Sequence, residues 1–281
     1  MKNKKRNIIL IISVLVIIIL CLIGFFIINK KSSNNESDSQ SIEELIIEDN
    51  YKKISENKEL LNIFNSLKKY IYNTNRKDIN SFSKIELFSI VGYNVKEKDI
   101  SDIKDEGDYT YGYVNKDLLD KQIEAVFGKS TITFGLESED KNVLNAGTFE
   151  NTGDKFKNAV LMEQTNKQYY FRFYSNEGTS ACPKLKNIPI KLIEVRQIDN
   201  NILLVAKSVQ TRVLEKEDNQ CSVDVINYSI KDPLDTFNVD MKEASYTIDI
   251  DKYIDNGMDV YILLKKEKNG KYVFAESKIG E

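Results

Sequence analysis

The chain has 281 residues, enough for one large domain or two small ones, and its 40 basic and 43 acidic side chains leave a formal charge of −3. It contains no histidine, no tryptophan and only three cysteines. Serine–histidine triads, histidine-bearing zinc sites and two-histidine iron sites are thereby excluded.

The charge is unevenly spread. Residues 1–31 carry Lys2, Lys4, Lys5, Arg6, Lys30 and Lys31 and no acid, which leaves 34 basic and 43 acidic side chains, a net −9, in residues 32–281. Ile8 to Ile28 is a run of 21 residues without a charge, interrupted only by Ser13 and Gly24. About 20 helical residues span a hydrocarbon core of about 30 Å. The run therefore predicts a transmembrane helix, and the basic excess before it predicts a cytoplasmic N-terminus. A cleaved signal peptide is the rival reading, but its apolar region normally runs about 7–15 residues. A lipidated Cys21 is a third, disfavoured by Leu20 before it. The expected organisation is a basic cytoplasmic tail over 1–7, the membrane helix over 8–28, a flexible linker over 29–41 (polar and serine-rich from Lys31 to Ser41) and an extracellular domain over 42–281. This places the protein at the cell membrane as a single-pass chain. It names the lipid bilayer, and a further membrane or envelope protein, as partners.

Helical signals come next. Ser41 and Glu44 have capping-box spacing, which predicts a helix running on toward Ile54. Asn57 caps a second, whose stripe is Leu60, Ile63 or Phe64, Leu67 and Ile71. Ser83 and Glu86 begin a third that stops at Gly92. Residues 95–108 are charged and weakly patterned and read as a loop. Asn115 caps a fourth helix, with Leu118, Leu119, Gln122 or Ile123, Val126 and Phe127 on its apolar face and Gly128 at its end.

After Gly128 the period shortens to about two. Strands are predicted over Thr131–Phe134, Gln168–Tyr174, Pro189–Gln197, Asn201–Leu214, Cys221–Ile230 and Tyr246–Ile250. A hairpin is expected from Val260–Lys265 and Lys271–Ser277 around Asn269-Gly270. Short connections make the sheet largely antiparallel. The fold class is α+β: a membrane helix, then helices, then one curved antiparallel sheet, with a possible division into 42–128 and 129–281.

That order of several helices followed by a long antiparallel sheet resembles the nuclear-transport-factor-2-like cone and its cystatin-like relatives, over about residues 80–281. The resemblance implies a helix lying across a concave sheet. Lysine supplies 35 of the 40 basic residues, asparagine occurs 28 times, and the short lysine-rich N-terminus precedes one apolar run. In these respects the chain resembles single-pass membrane-anchored extracytoplasmic proteins of low-GC bacteria. That resemblance implies a location and no activity.

Cys182 and Cys221 are the only cysteines outside the apolar run, and a disulfide between them would close a loop of about 40 residues. The alternative is two separate buried thiols. Two acidic groups, Asp99, Asp102, Asp105 and Asp108, and Asp249, Asp251, Asp255 and Asp259, are weak cation-site candidates whose spacing misses the calcium-loop pattern. Tyr109, Tyr111 and Tyr113 alternate, as do Tyr169, Phe171 and Phe173 against Tyr170 and Arg172; Tyr109, Tyr111, Tyr113, Tyr169, Phe171 and Phe173 could line an aromatic groove. Half-buried strand faces use tyrosine in the same way. No phosphate-binding glycine motif occurs, no cofactor or metal is implied, no catalytic residue is named, and the net acidity argues against nucleic acid. The expectation is a membrane-tethered extracytoplasmic module, more binder than enzyme, for a protein, peptide or envelope polymer. A carboxylate-dependent hydrolase and an assembly partner acting through its membrane and juxtamembrane helices are the alternatives.

Overall fold

The computed structural model describes residues 40–128, 146–174, 182–217, 219–227 and 232–280. The chain divides between Glu44 and Leu45. In the first unit the Ser41 backbone N–H donates to Glu44 Oε2 at 3.1 Å and the Glu44 N–H to Ser41 Oγ at 3.3 Å, a reciprocal cap on α1, Ile42–Ile46. The helix does not continue to Ile54. Glu48 Oε1 accepts from the Asn50 N–H, and the chain then extends into β1, Lys52–Lys53.

Two helices of the second unit follow their caps. Asn57 Oδ1 accepts from the Leu60 N–H at 3.0 Å and opens α2, Lys58–Ile71, whose Leu60, Ile63, Phe64, Leu67 and Ile71 are all buried. Ser83 and Glu86 form a capping box on α3, Lys84–Gly92. Residues 95–108, read as a loop, contain β2, Ile100–Glu106. Only Ile100 of β2 is buried, so this edge strand lacks the alternation that marks strands in a sequence. It is held by pairing with β3, Tyr109–Asn115, and Asn115 in turn caps α4, Lys116–Phe127.

The remaining strands are β4 Ala146–Thr148, β5 Asn158–Gln164, β6 Gln168–Tyr174, β7 Lys184–Leu185, β8 Ile190–Ile198, β9 Asn201–Ser208, β10 Gln210–Glu215, β11 Gln220–Ile226, β12 Asp235–Asp240, β13 Ser245–Tyr246, β14 Met258–Lys266 and β15 Tyr272–Ile279. The strand expected over Thr131–Phe134 lies outside the described residues. The expected single curved sheet is corrected to four sheets: β1-β8-β9-β14-β15, β2-β3-β6-β5-β4, β10-β11-β12 and the pair β13-β7. Among the described residues only β13-β7 is parallel. The apolar run 201–214 reads as one strand but serves two sheets. Ser208 still pairs with Ile190 and Met258, whereas Gln210 pairs with Ile226. Val209 is the pivot, fully buried among Val223, Val225 and Tyr246, with its N–H on Pro189 O. Among the described residues no closed or cone-like sheet forms.

The first sheet buries Ile202, Leu204, Ala206, Val260, Ile262 and Leu264 against α2. The second buries Phe171, Phe173, Leu161 and Val114 with Phe149 and Phe156. Helices α3 and α4 contribute to both cores: Ile90 and Val126 to the first, Phe88, Val91, Leu119 and Ile123 to the second. They therefore stand between the two sheets. Gln122, buried on α4, accepts from the side-chain amides of Asn62 and Asn94 and donates to Ile90 O, which satisfies its amide and ties α2, α3 and α4 together.

No helix among the described residues is long and apolar enough to cross a membrane; the longest, α2, has 14 residues. The expected span 8–28, the tail 1–7 and most of the linker 29–41 lie outside the described residues. The single-pass topology, the bilayer as partner and the cell-membrane location have no support in the structure. They are set aside.

Candidate functional site

The two acidic groups do not assemble. Asp99 caps a short 3-10 turn through the Lys96 N–H, and Asp105 binds Lys155 at 2.9 Å and accepts from Thr110 Oγ1 at 2.8 Å. The Lys155 contact, then that from Thr110, holds the Asp105 carboxyl below the usual carboxylate range. Asp102 sits in a β-bulge at φ +50°, and Asp108 is exposed in the turn between β2 and β3. Asp249 accepts from the Asp251 N–H, Asp251 binds Lys191 at 2.6 Å, Asp259 binds Lys207 at 3.0 Å, and Asp255 is exposed. These are turn caps and lysine partners. Among the described residues no group of three or more cysteine, aspartate and glutamate side chains could hold a metal ion. The two acidic groups on which the hydrolase alternative would draw are therefore not brought together among the described residues.

Cys182 and Cys221 are bonded, with S–S 2.09 Å and Cα atoms 5.8 Å apart. Cys221 is fully buried on β11, so the bond ties the start of the 182–185 segment to the β10-β11-β12 sheet. Its place is structural.

The aromatic residues separate by strand alternation. On β6, Tyr169, Phe171 and Phe173 are buried in the second core, while Gln168, Tyr170, Arg172 and Tyr174 turn outward. The expected groove is corrected accordingly, because residues at period two face opposite sides of a sheet. On β3, Tyr109, Tyr111 and Tyr113 take the outward side, and Thr110, Gly112 and Val114 the inward one. Gly112 sits opposite Phe171 and leaves room for Ile100, whose Cγ2 would lie 2.5 Å from a Cβ there.

Register then brings the outward row together. Tyr113 lies opposite Tyr170, and Tyr111 opposite Arg172. The Tyr113 and Tyr170 rings are 4.7 Å apart at 35°, and Tyr111 and Tyr170 are 5.8 Å apart at 19°. The three rings thus lie side by side, Tyr170 beside both Tyr111 and Tyr113. Lys104 faces Tyr111 from β2, and Glu163 faces Tyr170 from β5. Burial, then the neighbouring Tyr113, Glu106, Tyr111 and Glu163, pushes the Tyr170 hydroxyl up from its ordinary pKa, so it stays a donor. None of the hydroxyls of Tyr109, Tyr111, Tyr113 and Tyr170 is bonded to another described residue.

Arg172 is the cation of this face. Its guanidinium carbon lies 4.7 Å from the Tyr109 ring centroid, a cation–π contact. Its Nε is buried and has no acceptor. Of the four described arginines, Arg76 pairs with Glu86, Arg196 with Glu194 and Arg212 with Asp224; Arg172 has no ion pair among the described residues. Its cross-strand neighbours, Tyr111 and Val160, offer no carboxylate. Tyr170 and Arg172 are the members of this face left out of the expected groove. Their signal is the arginine itself, which cannot share a buried row with Phe171 and Phe173 and so marks the outward side.

Comparison with family models, curated proteins and solved structures finds no match to this chain. The resemblances to the nuclear-transport-factor-2-like cone and to membrane-anchored proteins of low-GC bacteria are therefore withdrawn, the first also because the strands form separate sheets. What the face can do rests on its own chemistry.

Proposed function

We propose that the protein is a non-catalytic binding protein that takes an extended peptide onto the outward face of β3 and β6. The observation that carries this reading is the row of Tyr111, Tyr170 and Tyr113, side by side with hydroxyls that have no partner among the described residues. Phenolic donors at strand spacing match the carbonyls of an extended chain, and the contiguous ring surface offers apolar side chains an area to lie on. Tyrosine also adds contact area at low conformational cost, with only two side-chain torsions to fix.

A positional-scanning library of synthetic nonapeptides, titrated against the full chain by fluorescence polarisation, tests the reading. Selective binding that is lost in Tyr111→Ala/Tyr170→Ala, with far-UV circular dichroism unchanged, is the expected result. Binding indifferent to that pair, or no binding by any sub-library, would reject it.

A further inference from the structure

Resting on that reading, we infer that Arg172 is the specificity-determining residue of the face, and that the peptide it takes carries one carboxylate, bound end-on by the two Nη groups. The argument begins with what arginine does elsewhere in the fold. Arg76 is spent on Glu86 and the carbonyls of Tyr70 and Ser81, Arg196 on Glu194, and Arg212 on Asp224. Each of those cations has a carboxylate of its own. Arg172 lies in the middle strand of a five-stranded sheet, on the side away from the core, and is given none.

Acids stand nearby, since Glu106 lies opposite Tyr109 and Glu163 opposite Tyr170, yet neither closes on the guanidinium. Instead the guanidinium carbon lies 4.7 Å from the Tyr109 ring centroid, a cation–π contact that restrains the fork, and Nε is covered. A covered Nε removes the side-on mode of carboxylate binding and leaves the Nη1–Nη2 edge of the fork. A planar fork recognises a carboxylate through two parallel hydrogen bonds, which a lysine ammonium cannot reproduce. The flanking glutamates exclude a strongly acidic segment, so the ligand carries one acid among uncharged residues.

The same nonapeptide library separates this inference from the reading beneath it. The expected profile is a preference for Asp or Glu over Asn or Gln at one position, by about tenfold or more, the scale of a charged hydrogen-bonded pair. The best synthetic peptide and its amide analogue are then titrated against the parent, Arg172→Lys and Arg172→Gln. The acid preference should vanish in Arg172→Gln and fall by most of its value in Arg172→Lys, while the amide analogue binds all three alike. Tyrosine-dependent binding with no acid preference overturns the assignment to Arg172 and leaves the face standing. A preference kept in full by Arg172→Lys overturns the planar, end-on mode. Absence of any binding overturns the face and this assignment with it.

Discussion

Gly128 follows α4 at φ +76°, while Gly92 closes α3 at a point where a Cβ would overlap the Phe149 ring. The first is a backbone requirement. With ψ −160° the residue lies in a region open almost only to glycine, and a side chain there costs about 1–3 kcal/mol. The second is a packing requirement. Overfilling a core costs about 1–3 kcal/mol, offset by up to about 1 kcal/mol because alanine is the better helix former. Urea titration should therefore find both Gly92→Ala and Gly128→Ala destabilised. Phe149→Leu should recover part of the loss in the Gly92→Ala background. Glu267→Ala should recover none in the Gly128→Ala background, because the flexible Glu267 tip that a Cβ would meet is not what costs energy there. The glycines are readable in the sequence as helix ends; that one also serves a ring of the second core is not, since Phe149 lies 57 positions away. The binding face has the same character. Tyr109, Tyr111 and Tyr113 announce themselves by alternation, whereas Arg172 acquires meaning only when register sets it opposite Tyr111, with its guanidinium over Tyr109 and no carboxylate paired with it among the described residues.

At the scale of elements, the β10-β11-β12 sheet carries the Cys182–Cys221 bond and the Arg212–Asp224 ion pair. The loop closed by Cys182–Cys221 has a sequence separation of 39, for which chain entropy gives about 4 kcal/mol. Cys182→Ala/Cys221→Ala should lose that much or less in urea titration, and hydrogen exchange should rise earliest along β11. Asp224 of β11 accepts from Arg212 Nε at 3.1 Å, Arg212 Nη2 at 2.6 Å and Thr236 Oγ1 at 2.8 Å. The Arg212 bonds, then the one from Thr236, hold its carboxyl below the ordinary range. Asp235 is held down chiefly by the Tyr253 hydroxyl, and Tyr253 is pushed up to about 12, by burial first and Asp235 second. A depressed carboxyl stabilises the fold above its unfolded value of about 4 and ceases to as pH falls below it. A raised phenol stabilises below its unfolded value of about 10 and ceases to as pH climbs to the folded one. Asp224→Asn should thus lower the urea midpoint at pH 7, and its difference from the parent should close as pH falls below 4. Helices α2 and α4 are legible because each has a cap and a stripe, and α3 because a capping box opens it and Gly92 closes it. β2 and the break at Val209 are not: the first has no buried face to pattern, and the second changes sheets without leaving the core.

Across the second unit, the order of elements along the chain conceals how they are shared. A sequence that lists helices and then strands suggests one helical layer on one sheet. Here β2 and β3 interrupt the helices, and α3 and α4 are clasped by two sheets whose strands come from distant parts of the chain. The consequence is thermodynamic coupling. Ile90 and Phe88 are two residues apart on α3, yet the first belongs to the α2 core and the second to the Phe149–Phe171 core. If the helices join the cores into one cooperative body, Ile90→Ala and Phe88→Ala should each lower a single shared transition. The expected costs are about 2–5 kcal/mol for the isoleucine and about 3–5 kcal/mol for the phenylalanine. Far-UV circular dichroism and tyrosine fluorescence, free of tryptophan in this chain, should trace coincident urea curves in the parent and both variants. Gln122→Leu probes the join itself. It removes the acceptor shared by the half-buried Asn62 and Asn94 and the donor to the buried Ile90 O, a loss of up to about 1–3 kcal/mol at the buried carbonyl and less at the half-buried amides. Its curves should shift further than those of a surface substitution and remain coincident. Two resolved transitions in the parent would mean that each sheet folds with its own helices and that α3 and α4 are a seam rather than a shared core.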